Sequence, residues 1–424
     1  MRAQRLSIRI PRALVAGLLA IVALAPSLLP SGAAALIQPT ATPTPDAASF
    51  ASLNKDSDLP YESIGPDYFF PWINPLTGLQ VEDQSLLQRR PMAIKVTNYP
   101  RYTRPPSGLA YADVVYEYYM ERAITRYIAI FYGHDASRVG PIRSGRFFDE
   151  HIFTMYDSSF TFGYADELVM DYWKEQGPTT LRRFGLEGRI DYFYDCEAGQ
   201  AYSLCRDRNL VTYNNLFANT SALNEAMVRN GLENIQPDLT GMRFAYRPPD
   251  GGAAATRLYF NYSLIIYSKW EYAPERNQYL RFQEDEGYSD ERGPSYAPLE
   301  DFTTGEQLSA DNVVVLFVPH HYYKKTDTTE IIQIDLVGSG QAMVFRDGQM
   351  FAATWVRPAD GSVINLLTAD GEHFPLKPGQ TWYQVVSEET EFGRDGDEWG
   401  FVFHAPEVPD EPIYPPTPTP TVSP

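Results

Sequence analysis

The sequence predicts an α+β protein in which a mixed sheet-and-helix domain precedes a mostly antiparallel β domain. The first half alternates between strand-like runs of period two and helix-like runs of period 3.6. The second half is nearly all strand-like and is punctuated by Asp-Gly and Pro-Gly turns. Between them, residues 237–256 are rich in Pro, Gly and small residues, which is typical of a boundary.

The N-terminal residues have the layout of a secretory signal. Four arginines flank the start of an apolar run, 13–25, and Ala33-Ala34-Ala35 fits a small-residue cleavage site. We therefore expect an extracytoplasmic protein, secreted or associated with the cell envelope. An uncleaved membrane anchor is the alternative, although the run is shorter than the roughly 20 residues that span a bilayer. No cysteine lies near the cleavage site, so we expect no lipid attachment there.

Composition divides the chain into segments. We predict a signal peptide over 1–35, a Pro/Thr-rich tether over 36–60, an N-terminal α+β domain over 61–236, a linker over 237–256, a C-terminal β-rich domain over 257–404 and a Pro/Thr-rich tail over 405–424.

Charge and residue types exclude several function classes. The chain has 54 Asp+Glu against 35 Lys+Arg, a formal net charge of −19, and such a surface repels nucleic acid and anionic lipid. We expect no nucleic-acid partner, and membrane contact only through a retained N-terminal anchor. No metal-ligand motif or cofactor signal is present, so neither is predicted. The two cysteines, Cys196 and Cys205, predict a disulfide in an exported chain, with free thiols as the alternative.

The first domain is predicted to contain a hairpin and three helices. Strands are predicted over 92–98, 113–120 and 125–133, and helices over 144–157, in the part of 160–177 that ends at Gly177, and over 220–232. The second domain is predicted to contain strands within 258–272, 277–283, 312–323, 330–337, 341–356 and 381–387.

The stretch GPIRSGR, residues 140–146, lies between a predicted strand and a predicted helix. Ser144 occupies the place of an N-cap, where a hydroxyl accepts from a free helix amide. Arg143 and Arg146 add forked donors that suit carboxylate or phosphate. A local basic cluster in an acidic chain therefore predicts a site for an anion.

The hairpin is expected to bring two more charges to this site. A four-residue connection pairs Tyr119 with Arg126, which places Glu117 and Arg126 on one face within reach of each other. Glu117 shares that face with apolar residues, so it should be partly buried and need a partner. The alternative interpretation is a buried ion network of these groups and the two corner arginines that only stabilises the fold.

Several long stretches resemble a known family. The run 91–131, "PMAIKVTNYPRYTRPPSGLAYADVVYEYYMERAITRYIAIF", with GPIRSGR after it, resembles the N-terminal domain of the YerB-like exported lipoproteins, whose domains have no known function. "DNVVVLFV", "DLVGSGQAMVFRDGQMFAATW" and "LKPGQTWYQVV" resemble the C-terminal domain. The resemblance covers roughly 90–388 and implies a two-domain envelope protein with no established reaction. The polar positions that it carries over are Asn98, Arg104, Ser107, Asp113, Glu117, Thr125, Arg126, Arg143, Ser144 and Arg146.

The chain departs from the family pattern at three places. Members commonly carry a lipid-attachment cysteine, which is missing near this leader. They also tend to have His-Gly-Gly-like and His-Asn-Leu segments where this chain has FTFGYADE, 160–167, and YNNLF, 213–217. These departures favour a protein that is not an enzyme.

We therefore predict a cell-envelope protein that binds an anionic or polar envelope ligand, such as a cell-wall fragment, in an arginine-lined pocket. The expected ligand-binding residues are Asn98, Glu117, Thr125, Arg126, Arg143, Ser144, Arg146, Arg206 and Asn214. One alternative is a hydrolase or transferase acting on cell-wall polymers, with Glu117 as general acid or base. Another is a non-enzymatic adaptor that binds a second envelope protein.

Overall fold

The computed structural model describes residues 62–175, 195–196, 202–288, 293–326 and 329–408. The predicted signal peptide and tether, most of the predicted tail and the predicted helix end at Gly177 lie outside these residues. The described part is mainly β with three α-helices, in line with the predicted α+β class. None of its helices is long and apolar enough to cross a bilayer.

The helices are short and fall where the 3.6-residue period predicts them. They are α1 (Phe148–Met155), α2 (Glu167–Glu175) and α3 (Thr220–Arg229).

Most of the predicted strands are present, together with several short ones. In the first half these are β1 (Ser63–Ile64), β2 (Met92–Thr97), β3 (Val114–Tyr119), β4 (Thr125–Phe131), β5 (Ser159–Thr161), β6 (Leu204–Arg206), β7 (Leu216–Ala218) and β8 (Arg243–Ala245). In the second half they are β9 (Ala253–Ala254), β10 (Arg257–Asn261), β11 (Tyr267–Ala273), β12 (Gln278–Glu284), β13 (Tyr296–Pro298), β14 (Ser309–Ala310), β15 (Asn312–Val318), β16 (His320–Lys325), β17 (Glu330–Ile334), β18 (Gly338–Arg346), β19 (Gln349–Arg357), β20 (Asn365–Leu367), β21 (Pro375–Leu376), β22 (Thr381–Ser387), β23 (Glu391–Asp395) and β24 (Glu398–Val402).

The largest sheet has ten strands and draws on both halves of the sequence. Its order is β20-β19-β18-β15-β22-β3-β4-β2-β5, with β9 paired to β19. The two halves meet where β22 pairs in parallel with β3, and β22 also pairs in parallel with β15. The division into two domains at 237–256 stays a prediction, and that segment itself contributes β8 and β9 to sheets.

A seven-stranded sheet covers one face of the large sheet. Its order is β13-β12-β11-β10-β24-β23, with β14 paired to β12. Trp382 of the large sheet packs edge-on against Trp270 of the smaller one, with ring centroids 5.2 Å apart. Burying such large side chains supplies roughly 1.5–3 kcal/mol each, so the aromatic layer contributes much of the stability of this interface.

Helix α1 covers the opposite face of the large sheet. The ring of Phe148 lies 4.5 Å from that of Tyr118, and the hydroxyls of Tyr116 and Tyr156 are 2.7 Å apart. The central strands of the large sheet are therefore buried on both faces, as expected for continuous apolar runs such as that of β15, whereas β18, β19 and β20 keep exposed or half-buried residues.

Three small sheets complete the fold: β1-β8-β21, β6-β7 and β16-β17. The predicted disulfide is confirmed, because Cys196 and Cys205 are joined with Cα atoms 5.0 Å apart. Cys205 lies on β6, so the disulfide ties the neighbouring chain to the β6–β7 pair.

The β3–β4 hairpin is confirmed, but its predicted register is wrong by one residue. Tyr119 pairs with Thr125 rather than with Arg126. The connection is shorter because Arg122 and Ala123 both adopt left-handed conformations, with φ of 58° and 61°. Turns with two left-handed residues usually contain Gly or Asn, so the sequence of this connection does not indicate that the turn is so tight. A one-residue shift moves every side chain to the other face of a sheet, which determines the arrangement of the site.

Candidate functional site

The structure brings the three predicted arginines together on the face of the large sheet that α1 covers. Arg126 projects from β4, and Arg143 and Arg146 lie in the connection between β4 and α1. Burial chiefly, followed by repulsion from Arg146 and then from Arg143, lowers the pKa of Arg126 to about 9. We call this cluster the arginine corner.

Two of the corner arginines are held by backbone carbonyls rather than by acids. Nη1 of Arg126 donates to the carbonyl of Ser144 at 2.9 Å, and Nη1 of Arg143 donates to the carbonyl of Tyr213 at 2.8 Å. Arg126 is only 5% exposed. The Nε atoms of both arginines are buried and have no hydrogen-bond partner within the described part of the chain. Their donor capacity is therefore not fully used.

The third arginine has a carboxylate partner that the sequence reasoning missed. Nε of Arg146 donates to Oε2 of Glu121 at 2.8 Å, and its Nη2 contacts Oε1 of the same carboxylate. Burial opposes ionisation, but the hydrogen bonds and charge of Arg146 prevail and lower the pKa of Glu121 to about 2. Glu121 lies in the tight hairpin turn, so only the correct turn geometry could have placed it there.

A buried lysine lies beside the corner. Nζ of Lys95 donates to Oδ1 of Asp149 at 2.8 Å and also contacts the hydroxyl of Tyr118, which donates to the same Oδ1 at 2.6 Å. Burial lowers the pKa of Lys95 to about 7 despite the charge of Asp149. The sequence contained a sign of the pair formed by Lys95 and Asp149. A lysine within the apolar run of β2 and an acid on an apolar helix face both need partners when they are buried.

Ser144 does not cap the helix as predicted. Helix α1 begins at Phe148, further along the chain, and Oδ2 of Asp149 accepts from the amide of Arg146 at 2.7 Å. The carboxylate therefore takes one free amide at this end of the helix. Ser144 serves the corner through its carbonyl, which orients Arg126.

The charges of the corner do not balance. Its cations are Lys95, Arg126, Arg143 and Arg146, and the carboxylates that face them within the described residues are Asp149 and Glu121. Four cations and two carboxylates leave a formal excess of two positive charges, which falls toward one as Lys95, whose pKa burial lowers to about 7, loses its proton. This local excess lies in a chain whose formal net charge is −19.

Two further predicted ligand residues lie near the corner but make other contacts. Asn214 is buried next to Tyr213 in the sequence, and its Nδ2 donates to the hydroxyl of Tyr102 at 2.7 Å. Arg206 lies on β6, and its Nη1 donates to Oδ1 of Asn215 at 2.8 Å. Asn214 therefore belongs to the rim of the corner, whereas Arg206 is oriented by a different amide.

The remaining predicted residues form a second cluster between the two large sheets. Glu117 is fully buried and accepts four hydrogen bonds. Its Oε1 accepts from Asn98 at 3.2 Å and from Thr125 at 2.8 Å. Its Oε2 accepts from Arg281 at 2.7 Å and from Gln384 at 3.1 Å. All acceptor positions of the carboxylate are therefore occupied by donors of the protein.

The predicted pairing of Glu117 with Arg126 is wrong, because the register shift places these side chains on opposite faces of the sheet. The partner is Arg281 of β12, whose guanidinium also lies 5.0 Å from the ring of Trp270 and 5.4 Å from that of Trp382. A carboxylate enclosed in this way has no route to a substrate atom, so the geometry offers no support for Glu117 as a general acid or base.

The second cluster extends outward to a cavity of about 250 Å³ lined in part by Arg101, Arg104 and Glu284. Nη2 of Arg104 donates to Oε1 of Glu284 at 2.6 Å and to Oδ1 of Asn98 at 3.2 Å. Arg104 and Glu284 come from the two halves of the sequence, so this ion pair ties the halves together.

Comparison with known proteins agrees with the sequence resemblance. The model described as "Protein of unknown function (DUF3048) N-terminal domain" matches residues 76–233, and its C-terminal counterpart matches 258–383. The "Putative lipoprotein YerB" of Bacillus subtilis (strain 168) is 24% identical over 315 residues, 74% of this chain and 85% of that protein. The chain belongs to the YerB-like family.

A solved structure of a YerB-like protein has the same fold. The crystal structure of the YerB protein from Bacillus subtilis aligns with a TM-score of 0.57 and 23% identity, covering 74% of this chain and 96% of that one. Both family models describe domains of unknown function. Membership of the YerB-like family therefore gives the ancestry and the fold of this chain but no activity.

Proposed function

We propose that this YerB-like protein acts outside the cytoplasm, at the cell envelope, as a non-enzymatic receptor for an anionic ligand bound at the arginine corner. The observation that carries the proposal is the formal excess of positive charge among the corner residues of a strongly acidic chain. The signal-like N-terminus, the disulfide and the description of the Bacillus subtilis relative as a lipoprotein support the location.

An anion would relieve an unfavourable arrangement of charges. Two unit charges 4 Å apart interact by about 1 kcal/mol in water and about 4 kcal/mol at the effective dielectric of a protein surface. Repulsion of this kind acts among the three arginines, because Arg146 lowers the pKa of both Arg126 and Arg143. The pKa of Arg146 itself is raised, because its carboxylate partner Glu121 outweighs the effect of burial. A ligand carboxylate or phosphate placed among them turns this cost into attraction.

The donors also have the geometry for such a ligand. Arg143 is partly exposed and Arg146 retains some exposure beside Glu121, whereas Arg126 lies deeper. Guanidinium groups bind planar oxyanions through paired N–H donors, and carbonyls fix the orientation of two of these groups in advance. Such preorganisation reduces the entropy cost of binding.

The proposal is tested by titrating the protein, expressed without its predicted signal peptide, with pyrophosphate in a calorimeter at low salt. We expect saturable binding that weakens as salt is added. Arg143→Met should weaken binding at least about tenfold, since a charge-assisted contact contributes roughly 1.5–3 kcal/mol.

Arg229→Met provides the matched control, because Arg229 lies exposed on α3 in a surface pair with Glu225. This variant removes the same charge and should bind as wild type does. Absence of saturable binding by wild type, or equal weakening in both variants, would overturn the proposal.

A further inference from the structure

Three large aromatic side chains are exposed around the arginine corner. Tyr102, Tyr164 and Tyr213 are 61%, 60% and 81% exposed. Single exposed aromatics are common on protein surfaces, but a group of them around one cluster of charges calls for a reason. A tyrosine ring offers a broad apolar face and a polar hydroxyl, and it loses little conformational entropy on binding.

Two of these tyrosines are tied to the corner through their backbone. The carbonyl of Tyr213 accepts from Nη1 of Arg143 at 2.8 Å, and the carbonyl of Tyr164 accepts from the amide of Gly145 at 2.7 Å. The chain that carries each ring is therefore fixed to the chain that carries the arginines.

The third tyrosine is held by its hydroxyl. Nδ2 of the buried Asn214 donates to the hydroxyl of Tyr102 at 2.7 Å, and Tyr102 lies close enough to Arg143 to affect its protonation. The other amide atom, Oδ1 of Asn214, is buried without a partner in the described residues. The exposed rings of the rim thus lie next to a buried amide whose oxygen has no partner within the described residues.

We propose that the ligand of the arginine corner is an acidic saccharide, whose anionic groups pair with the arginines while its sugar rings pack on the exposed tyrosines. This inference rests on the anion-binding function proposed above and adds the class of ligand. A pyranose ring presents an apolar face of C–H groups and an edge of hydroxyls, and the rim offers aromatic faces and hydrogen-bonding groups to match.

Charge density separates a saccharide from other anionic polymers. Stacked rings with arginines also suit single-stranded nucleic acid, which carries one charge per nucleotide. However, the corner has an excess of only two positive charges, and the chain around it has a net charge of −19. A densely charged polymer would be repelled beyond the corner, whereas a saccharide with few anionic groups places its charge at the corner and neutral rings on the rim.

The test compares dissociation constants for cellobiouronate, a disaccharide with one carboxylate, for maltose 1-phosphate, for the neutral maltohexaose and for a six-nucleotide oligothymidylate, with pyrophosphate as the bare anion. The variants are Tyr213→Ala and, as a matched control, Tyr68→Ala, which removes a tyrosine that is 43% exposed beside Phe70. Cellobiouronate and maltose 1-phosphate each carry one anionic group, and they distinguish a uronate source of the charge from a phosphorylated one.

We expect wild type to bind at least one of the two acidic saccharides and not maltohexaose. Tyr213→Ala should weaken that binding about tenfold and change pyrophosphate binding by less than about twofold, since loss of one stacking ring affects only the sugar. Tyr68→Ala should change neither.

Other outcomes separate the two proposals. Arginine-dependent binding of pyrophosphate with no tyrosine-dependent binding of either acidic saccharide would overturn the ligand class and leave the anion receptor intact. Tighter binding of the oligothymidylate than of both saccharides would also overturn the class. Failure of pyrophosphate and both saccharides to bind would overturn both proposals.

Discussion

The buried pair of Glu117 and Arg281 gives a sharp prediction for Glu117→Gln, a change that conserves size and removes one charge. The amide oxygen can still accept from Asn98 and Thr125 on one side. On the other side an NH₂ group replaces an oxygen that accepts from Arg281 at 2.7 Å and from Gln384 at 3.1 Å. Three donors would then face one another in the middle of the core.

The expected loss is large because Arg281 keeps its charge in a fully buried place. Removing one partner of a buried ion pair costs about 3–5 kcal/mol, mainly through the charge that is left unpaired. The total stability of a domain is only about 5–15 kcal/mol, so the variant should lose a substantial part of it.

Urea unfolding followed by tryptophan fluorescence measures this loss. The double variant Glu117→Gln/Arg281→Met removes the unpaired charge. Its loss of unfolding free energy should be smaller, by about 1–3 kcal/mol, than the sum of the losses in the two single variants. A loss below about 1 kcal/mol for Glu117→Gln, or strict additivity in the double variant, would refute the assignment of Arg281 as the partner.

Three further predictions concern the corner and its supports. Burial lowers the pKa of Lys95 to about 7 from its ordinary 10.5, so the unfolded chain binds more protons than the folded one between these pH values. The unfolding free energy of wild type, measured in urea relative to that of Lys95→Met, should therefore rise from pH 7 to about pH 10. A difference between the two proteins that does not change with pH would contradict this. Gly145→Ala should cost about 1–3 kcal/mol, because a Cβ there would lie 2.6 Å from the ring of Trp173, while Gly163→Ala, whose Cβ would meet no atom closer than 3.7 Å, should be nearly neutral. Replacing Cys196 and Cys205 by Ser should cost roughly 2–3 kcal/mol, and equal unfolding midpoints would show that the short loop contributes nothing.

Local patterns predicted the elements well where one period dominated. The strands β2, β3 and β4 and the helices α1 and α3 lie within a few residues of the predicted runs, because apolar alternation and helical spacing extend over whole elements. The Asp-Gly turn between β18 and β19 was also recognisable, since Asp347 and Gly348 both adopt left-handed conformations that this dipeptide tolerates.

Pairings distant in sequence could not be predicted in this way. Nothing local to β22 indicates that it lies in parallel between β15 and β3, although this pairing joins the two halves. The partnership of Glu117 with Arg281 depends on that arrangement. Both side chains are charged residues within strand-like runs, which indicates that each needs a buried partner but not which partner it has.

The arrangement of the candidate site residues was predicted in part, and their role in binding stays a prediction. The sequence indicated a basic cluster, and the structure places Arg126, Arg143 and Arg146 within electrostatic reach of one another. The sequence also predicted that Glu117 and the arginines belong to one cluster. In the structure, a hairpin turn without Gly or Asn shifts the register and separates Glu117 from the arginines. A single residue in a hairpin connection therefore decided which charges meet.

The central claim is that the arginine corner holds positive charge in excess and that an anion compensates it. The most direct test is the unfolding free energy of wild type and Arg143→Met at low salt, each with and without pyrophosphate at about 100 times its dissociation constant for wild type. Without the anion the variant should lose less than about 1 kcal/mol, because relief of repulsion offsets one hydrogen bond. With the anion, wild type should gain about 2.7 kcal/mol, whereas the variant, whose dissociation constant is at least about tenfold higher, should gain no more than about 1.4 kcal/mol. A loss of several kcal/mol in the variant, with no gain from pyrophosphate in either protein, would contradict the account and identify the corner as a structural network.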